Sequence, residues 1–267
     1  FERLDNMQLW LRKMNRFLDY LLPGVRKSEP RTRASADYSL LSPEVAADGE
    51  LKGWHEHGVS ERQDNAYRKL IQKMYAGQPR QDFLAAAEAV RCTGIDDPLI
   101  LEVGCGSGYY CEILSYLLGR SVRYLGLDYS AAMLELARKR YPEKAFVLAN
   151  GTALPFAGGT LDIVLNGVSL MHILSYETAI TEARRVAGRW CIFHTVPVIR
   201  ELETTFLSKK AYGEKTVEVI INESELHQLF EKSGLVVRHT LKSIPYDLGC
   251  VLGQSTESRT YVCQIAD

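Results

Sequence analysis

Three glycines at alternate positions, Gly104, Gly106 and Gly108, directly follow the apolar run Leu99–Val103. The run has the composition of a strand buried on both faces, and the residues after Tyr109 carry apolar side chains at helical spacing. Glycine permits a sharp turn and lets a ligand lie against bare backbone, and a helix start presents free N–H groups and a positive dipole end. A strand, a glycine turn and a helix in this order therefore predict a nucleotide-binding loop.

The spacing of the glycines bears on which nucleotide is bound. The dinucleotide fingerprint G-x-G-x-x-G needs a third glycine where this chain has Tyr109. From Glu102 the sequence instead reads Glu-x-Gly-x-Gly-x-Gly, which resembles motif I of the class I S-adenosylmethionine-dependent methyltransferases. An NAD-type dehydrogenase is the alternative that the glycine pattern alone leaves open.

The next apolar strand, Tyr124–Asp128, ends in an acid about twenty residues after the glycine turn. A carboxylate there accepts hydrogen bonds from both hydroxyls of a ribose, an arrangement that dehydrogenases and methyltransferases share. Ser130 follows as a predicted N-cap, with Met133 on the helix that it begins. Asp128 therefore supports a nucleotide site without deciding between the two classes.

Two later segments extend the resemblance to the methyltransferase family. Phe146–Phe156 is similar to the segment that borders the adenine and ends in Leu-Pro-Phe, with Asn150 where the family usually has aspartate. An amide oxygen accepts a hydrogen bond from the adenine amino group as well, although without charge. Leu161–His172 is similar to the family's fourth strand and the loop past it. The motifs follow one another in the family's order over about residues 97–195.

The resemblance implies a site for S-adenosylmethionine outside the carboxyl ends of the strands. The positions that match the family's motifs, and that we therefore expect to contact this cofactor, are Glu102, Gly104, Cys105, Gly106, Gly108, Asp128, Tyr129, Met133, Asn150, Gly151, Thr152, Asn166 and Gly167. A helix is also predicted over residues 60–76, with Ser60 as its N-cap. Many similar methyltransferases place such a helix over the methionine end of the cofactor. Gln63 and Tyr67, one helical turn apart, are candidates for this lid, and a core position for Tyr67 is the alternative.

Histidine supplies the candidate catalytic residue. Methyl transfer from a sulfonium is an in-line displacement with a good neutral leaving group, so alignment and exclusion of water are the main tasks. An acceptor O–H or N–H group also needs a base, and His172, just past the predicted fourth strand, is the best one by position and by ordinary pKa. The alternatives are a packing role for His172, His194 as the base, or an enzyme that needs no base.

Composition limits the other function classes. The net charge of −1 gives no strong field for nucleic acid or an anionic membrane, and we expect neither as a partner. The cysteines form no C-x-x-C pair and no apolar run is long enough for a membrane span, so reduced thiols and a cytoplasmic location are expected. No signal peptide is recognised, although the chain begins with Phe1. His55 and His57 lack a third ligand at any nearby spacing, and we expect no metal site.

Strands and helices alternate through the middle of the chain, which predicts right-handed βαβ units. With the resemblance, we expect a Rossmann-like α/β fold: a seven-stranded, mostly parallel sheet with helices on both faces, an antiparallel final strand and an N-terminal helical extension. The predicted domains are an extension or lid over residues 1–80 and a methyltransferase domain over 81–267. A helix over residues 3–22, an excursion over 197–221 and a loop over 242–258 are predicted additions, the last two near the active site.

These observations together predict S-adenosylmethionine-dependent methyl transfer to an oxygen or nitrogen of a small-molecule acceptor. The additions contain aromatic residues and are not strongly basic, which suits a compact organic acceptor better than a phosphate backbone. An NAD-type oxidoreductase and a non-catalytic protein that binds S-adenosylmethionine are the alternatives.

Overall fold

The structure is a computed structural model that describes residues 38–42, 46, 54 and 57–266. The helix predicted over residues 3–22 and the side chains of His55 and His57 lie outside the described part. The strands are β1 (Ser39–Leu41), β2 (Leu99–Val103), β3 (Arg123–Asp128), β4 (Ala145–Leu148), β5 (Leu161–Gly167), β6 (Ala187–Ile199), β7 (Thr205–Ala211), β8 (Glu214–Asn222), β9 (Leu235–Lys242) and β10 (Glu257–Ile265). The helices are α1 (His57–Tyr75), α2 (Gln81–Cys92), α3 (Tyr110–Leu118), α4 (Ala131–Arg140), α5 (Tyr176–Val186), α6 (Glu223–Lys232) and α7 (Gly249–Leu252), with a 3₁₀ turn at Leu170–His172.

The apolar strands build a central sheet in the order β4-β3-β2-β5-β6-β10-β9. The pairs from β4 to β6 are parallel, and β10 is antiparallel to both of its neighbours. The strand order reverses between β2 and β5, so the carboxyl ends of these two strands form the crevice in which open α/β sheets bind ligands. The predicted mostly parallel sheet with an antiparallel final strand is confirmed.

Helices cover both faces of this sheet because successive side chains of its strands point in opposite directions. On β2, Ile100 belongs to one buried cluster and Leu101 to the other. The first cluster contains apolar side chains of α1, α2, α3 and α4, and the second contains those of α5 and α6. Apolar burial on both faces explains why β2 and β5 read as almost continuous apolar runs.

A second, antiparallel sheet extends from the central one. β7 and β8 form a hairpin, β1 pairs with the outer edge of β7, and β8 runs parallel to the end of β6. The excursion predicted over residues 197–221 is therefore the end of β6 followed by this hairpin. Its polar stretch, residues 209–215, reads as loop in sequence but forms the end of β7, the turn and the start of β8.

The helix boundaries follow local signals closely. The predicted N-cap at Ser130 is confirmed, because its side chain caps α4 by accepting a hydrogen bond from Met133 N. The prediction that Ser60 is an N-cap is wrong, because α1 begins three residues earlier and Ser60 lies buried inside it. None of the helices in the described part of the chain combines the length and the apolar character needed to cross a membrane.

Candidate active site

A cavity of about 360 Å³ lies at the carboxyl ends of β2, β3, β4 and β5. The central sheet contributes the glycine turn after β2, the end of β3 and the segments after β4 and β5. α1, the β7–β8 hairpin and the loop over residues 242–258 contribute the remaining walls. Of the residues predicted from sequence, those that line this cavity are Gln63, Tyr67, Gly104, Gly106, Asp128, Tyr129, Met133, Asn150, Gly151, Gly167 and His172.

The glycine turn exposes backbone to the cavity. Gly104 and Gly106 have φ values of 73° and 54°, in the left-handed region that favours glycine. A Cβ at Gly104 would lie 2.3 Å from Cβ of Ser169, so this position has no room for a side chain. A Cβ at Gly106 would lie 3.1 Å from Oε1 of Gln63, in the space between the turn and α1.

Asp128 is fixed at the end of β3 by two backbone donors. Gly106 N donates to its Oδ2 at 2.8 Å, and Ser130 N donates to its Oδ1 at 2.8 Å. The carboxylate therefore joins the glycine turn to the start of α4, and it lies in the wall of the cavity. Carboxylate oxygens held in this way are acceptors of the kind that bind ribose hydroxyls.

Helix α1 is held against the glycine turn by Asp64, which is only 2% exposed. Ser107 Oγ donates to Oδ1 of Asp64 at 2.9 Å, and Arg140 donates to its Oδ2 at 2.7 Å. The adjacent Gln63 lines the cavity, and its Oε1 is buried without a hydrogen-bond partner among the described atoms. A buried acceptor lacking a partner suits a ligand with an N–H donor, such as an α-ammonium group.

Tyr67 is a buried core residue that also lines the cavity. Its ring stacks on Tyr109 with centroids 3.8 Å apart. Arg80 lies over the Tyr67 ring at 5.3 Å and is paired with Asp82, which is buried, through an Nε–Oδ1 contact of 2.6 Å. Arg80 and Asp82 both line the cavity, and neither was predicted because they belong to no recognised motif.

Five of the expected cofactor contacts lie outside the cavity wall: Glu102, Cys105, Gly108, Thr152 and Asn166. Glu102 is buried behind the site and accepts a hydrogen bond from Tyr124; burial raises its pKa well above the ordinary value despite that bond. Gly108 faces a ring instead, because a Cβ there would lie 2.9 Å from Phe146.

The other three support the loops around the cavity. Cys105 is buried in the core beneath the turn. Thr152 N donates to Oδ1 of Asn150 at 3.0 Å, which holds the loop after β4. Asn166 accepts a hydrogen bond from Ser169 Oγ at 2.7 Å, and its Nδ2 is buried without a partner among the described atoms.

His172 lies on the 3₁₀ turn after β5 and lines the cavity. Its Nδ1 is 2.7 Å from the carbonyl oxygen of Val217 on β8. A carbonyl oxygen only accepts, so Nδ1 carries the proton and Nε2 of the neutral ring carries a lone pair. Burial lowers the pKa of His172, an effect that nearby Glu218 and the Val217 carbonyl offset only in part. The imidazole is therefore neutral at pH 7.

His194 occupies a different environment. It is fully buried, its Nε2 is 2.8 Å from Tyr110 Oη, and its Nδ1 is 2.8 Å from Thr260 Oγ1. Burial lowers the pKa of His194 to about 4. The residue does not line the cavity, so its geometry favours His172 as the base.

Backbone strain concentrates at the same cavity. Among the described residues, three that are not glycine have positive φ values, namely Val168 at 53°, Thr195 at 55° and Tyr212 at 51°. All three line the cavity. Left-handed conformations cost energy for side chains of these types and tend to cluster at functional sites. No sequence signal could have identified them, because none of the three is a residue type that favours this conformation.

The described residues contain no group of three or more His, Cys, Asp or Glu side chains that could hold a metal ion.

Comparisons with known proteins agree with this geometry. The chain matches the family model for a methyltransferase domain over residues 101–189. Demethylmenaquinone methyltransferase of Lactococcus lactis subsp. lactis is 29% identical over 164 residues, which cover 51% of this chain and 65% of that protein. The 2-phytyl-1,4-naphtoquinone methyltransferase of Thermosynechococcus vestitus is 33% identical over 89 residues, which cover 32% of this chain and 40% of that protein. The match thus spans less than two thirds of the length of either relative.

Among solved structures, 1,6-didemethyltoxoflavin-N1-methyltransferase of Burkholderia thailandensis superposes with a TM-score of 0.52 at 15% sequence identity. The superposition covers 87% of this chain and all of that one, whose structure contains 1,6-didemethyltoxoflavin and S-adenosylhomocysteine. At this identity the likeness concerns the fold. The family match and the strand order together show a methyltransferase domain of the class I, S-adenosylmethionine-dependent type in this chain, with the match over residues 101–189.

Proposed function

We propose that this protein transfers the methyl group of S-adenosylmethionine to an O–H or N–H group of a small-molecule acceptor, with His172 as the base. The observation that carries the proposal is the shared cavity. One cavity is bordered by the glycine turn, by the fixed carboxylate of Asp128 and by His172, whose Nε2 carries a lone pair.

The residues present fit the cofactor of this family. Asp128 would accept from the ribose hydroxyls, and Asn150, just past β4, would border the adenine. Gln63 Oε1, the buried acceptor beside Gly106, would accept from the methionine ammonium group. S-adenosylmethionine supplies an electrophilic methyl group when bound.

His172 then receives the acceptor's proton. Its Nδ1–H bond to Val217 fixes the ring plane as well as the tautomer, and the Trp54 ring packs beside it with centroids 5.0 Å apart. Because burial lowers the pKa of His172 from its ordinary value of 6.5, the ring is neutral at pH 7 and its Nε2 can take a proton there. A base held in one orientation loses little entropy when the acceptor binds.

The additions to the common fold support a small acceptor. Residues of α1, of the β7–β8 hairpin and of the loop over 242–258 border the same cavity as the sheet. These segments border the cavity at the carboxyl ends of the strands, where we propose that they form a lid. An enclosed space of this kind suits a compact organic molecule.

The first test is binding. We expect calorimetry to give micromolar affinity for S-adenosylmethionine and S-adenosylhomocysteine and much weaker affinity for NAD. Tight binding of NAD with no binding of S-adenosylmethionine would contradict the proposal.

The second test concerns His172. With an acceptor found by screening phenols and amines for S-adenosylhomocysteine release, His172→Phe should lower turnover by roughly 10²- to 10⁴-fold. Its affinity for S-adenosylhomocysteine should be unchanged, and turnover by the unaltered protein should fall only as the pH drops below 6.5, because the neutral ring is the active form. His239→Phe, at an exposed histidine of β9, is the matched control. Undiminished turnover by His172→Phe would assign His172 a packing role.

A further inference from the structure

A buried polar cluster lies where the added hairpin meets the cavity. We call Tyr38, Lys209, Glu218 and Tyr246 the hairpin cluster. Lys209 Nζ lies 2.8 Å from Oε2 of Glu218, and the hydroxyls of Tyr38 and Tyr246 donate to the same carboxylate. Glu218 is 0% exposed whereas the Lys209 side chain is 27% exposed, so Lys209 is the member of the pair whose side chain is partly accessible.

The hydrogen bonds within the cluster leave a donor facing the cavity. Glu218 accepts from Lys209 Nζ and from the hydroxyls of Tyr38 and Tyr246. An ammonium group has three N–H donors. The Glu218 contact uses one, and the Tyr38 ring, whose centre lies 5.5 Å from Nζ, accounts for at most one more. Because Lys209 lines the cavity, at least one N–H is available to a ligand there.

A second donor and one acceptor lie on the same side of the cavity. Trp54 Nε1 is buried without a partner among the described atoms, and Trp54 lines the cavity. His172, which packs on Trp54, offers the lone pair of Nε2. Trp54 and Tyr212, with ring centroids 6.0 Å apart, add an aromatic wall. A complementary ligand is therefore planar, with oxygen acceptors for two donors and one acidic hydrogen for His172.

Resting on the proposed function, we propose that the acceptor is an aromatic hydroxy acid or hydroxycarbonyl compound, whose carbonyl or carboxylate oxygen binds Lys209 while its neighbouring O–H group faces His172. The O–H bond breaks and its proton passes to Nε2 of His172. The oxygen's electron pair forms the new bond to the methyl carbon, and the pair of the broken methyl–sulfur bond remains on the sulfur of S-adenosylhomocysteine.

Charge explains why Lys209 favours oxygen over an amine as the reacting group. An accessible ammonium stabilises a developing oxyanion and repels a protonated amine in the same space. The buried carboxylate of Glu218, 2.8 Å from Nζ, offsets part of this charge, so the preference for oxygen rests mainly on the N–H groups of Lys209, which offer a donor and no acceptor. The cluster thus acts as a fixed donor and not as a second base.

The experiment uses the full chain saturated with S-adenosylhomocysteine and three probes of one size. These are 3-hydroxy-2-naphthoate, 2-naphthoate, which lacks the hydroxyl, and 2-naphthol, which lacks the carboxylate. Calorimetry should show at least tenfold tighter binding of 3-hydroxy-2-naphthoate than of 2-naphthol. Equal binding of the two, or no binding of 3-hydroxy-2-naphthoate, would overturn the proposal.

Variants assign the preference to Lys209. Lys209→Met should reduce the difference between 3-hydroxy-2-naphthoate and 2-naphthol to less than threefold. Lys210→Met, the next residue along β7 and exposed, should keep the full preference, because alternate side chains of a strand point to opposite faces. Since Lys209→Met leaves Glu218 buried without its cation, the double variant Lys209→Met, Glu218→Gln is included to remove both charges together.

The same titrations separate two failures. If S-adenosylhomocysteine does not bind, the proposed function fails. If it binds normally and the hydroxy-acid preference survives in both Lys209 variants, only the acceptor assignment fails. The unaltered protein should also bind 3-hydroxy-2-naphthoate more tightly than 2-naphthoate, and His172→Phe should lose this difference if the hydroxyl faces His172.

Discussion

At the scale of single residues, the central feature is that Asp128 is positioned by backbone donors. The N–H groups of Gly106 and Ser130 hold its two oxygens at 2.8 Å each, and these donors come from the two loops that border the site. The carboxylate is therefore preorganised, so a ligand does not have to order it.

We predict that Asp128→Asn weakens S-adenosylhomocysteine binding by about 2 kcal/mol, or roughly 30-fold in Kd. The amide keeps the shape of the carboxylate but replaces one acceptor oxygen by a donor, which opposes either Gly106 N or Ser130 N. Calorimetry measures the Kd, and urea unfolding shows whether the fold is retained. Asp96→Asn, at an exposed position before β2, is the control. An unchanged Kd for Asp128→Asn would mean that the ribose is held elsewhere.

Sequence reasoning found those cavity-lining residues whose position follows from local geometry. Asp128 and Gly106 were predictable because a strand end and a left-handed turn each leave a mark on residue type. Lys209 was not, because it meets Glu218 only after the β7–β8 hairpin forms. Glu218 did carry a weak signal, as the one charge within the apolar run over residues 217–221. The Glu218 side chain lines the cavity, whereas Val219 and Ile221 on the same strand pack in the core.

At the scale of elements, the strand–turn–helix unit from β2 to α3 supplies the glycine turn of the proposed cofactor site. Its strand and helix were predictable from apolar spacing within a residue at each end. The added hairpin was not, because its polar residues 209–215 resemble a loop and only cross-strand pairing makes them strand. The same limit applies to β1, which exists only through its pairing with β7.

We predict that Gly106→Ala lowers S-adenosylhomocysteine affinity at least tenfold. The added methyl enters the space between the turn and Gln63, 3.1 Å from Oε1, where the ligand would lie. The left-handed φ of 54° also costs alanine about 1–2 kcal/mol of folding stability. Gly119→Ala isolates that second effect, since Gly119 has a φ of 69° and nothing within 4 Å of an added Cβ.

The comparison between the two glycine variants is direct. Urea unfolding should show a similar decrease in the free energy of unfolding for Gly106→Ala and Gly119→Ala. Calorimetry should show weaker ligand binding for Gly106→Ala only. If Gly106→Ala binds as tightly as Gly119→Ala, the glycine at position 106 serves the turn and not the ligand.

At the scale of the whole molecule, the cofactor and acceptor regions are built from different layers. The central sheet with its glycine turn supplies the side of Asp128, and the second sheet supplies Lys209 and Glu218. His172 joins the two, because it follows β5 of the first sheet and donates to Val217 of the second. Variation in the second sheet can therefore change the acceptor without disturbing the cofactor site.

We predict that removing residues 1–53 preserves binding of S-adenosylhomocysteine and reduces binding of 3-hydroxy-2-naphthoate. α1 and the central sheet begin after this segment, so the glycine turn, Gln63 and Asp128 are all retained. The truncation does remove β1, which pairs with β7, and Tyr38, which donates to Glu218. Removing residues 1–37 alone keeps both features, so the difference between the two truncated proteins measures the contribution of residues 38–53. Equal affinities of the two truncated proteins for 3-hydroxy-2-naphthoate would show that the hairpin holds Glu218 and Lys209 in place without β1. If the protein without residues 1–53 does not fold while the one without residues 1–37 does, residues 38–53 are part of the folded core.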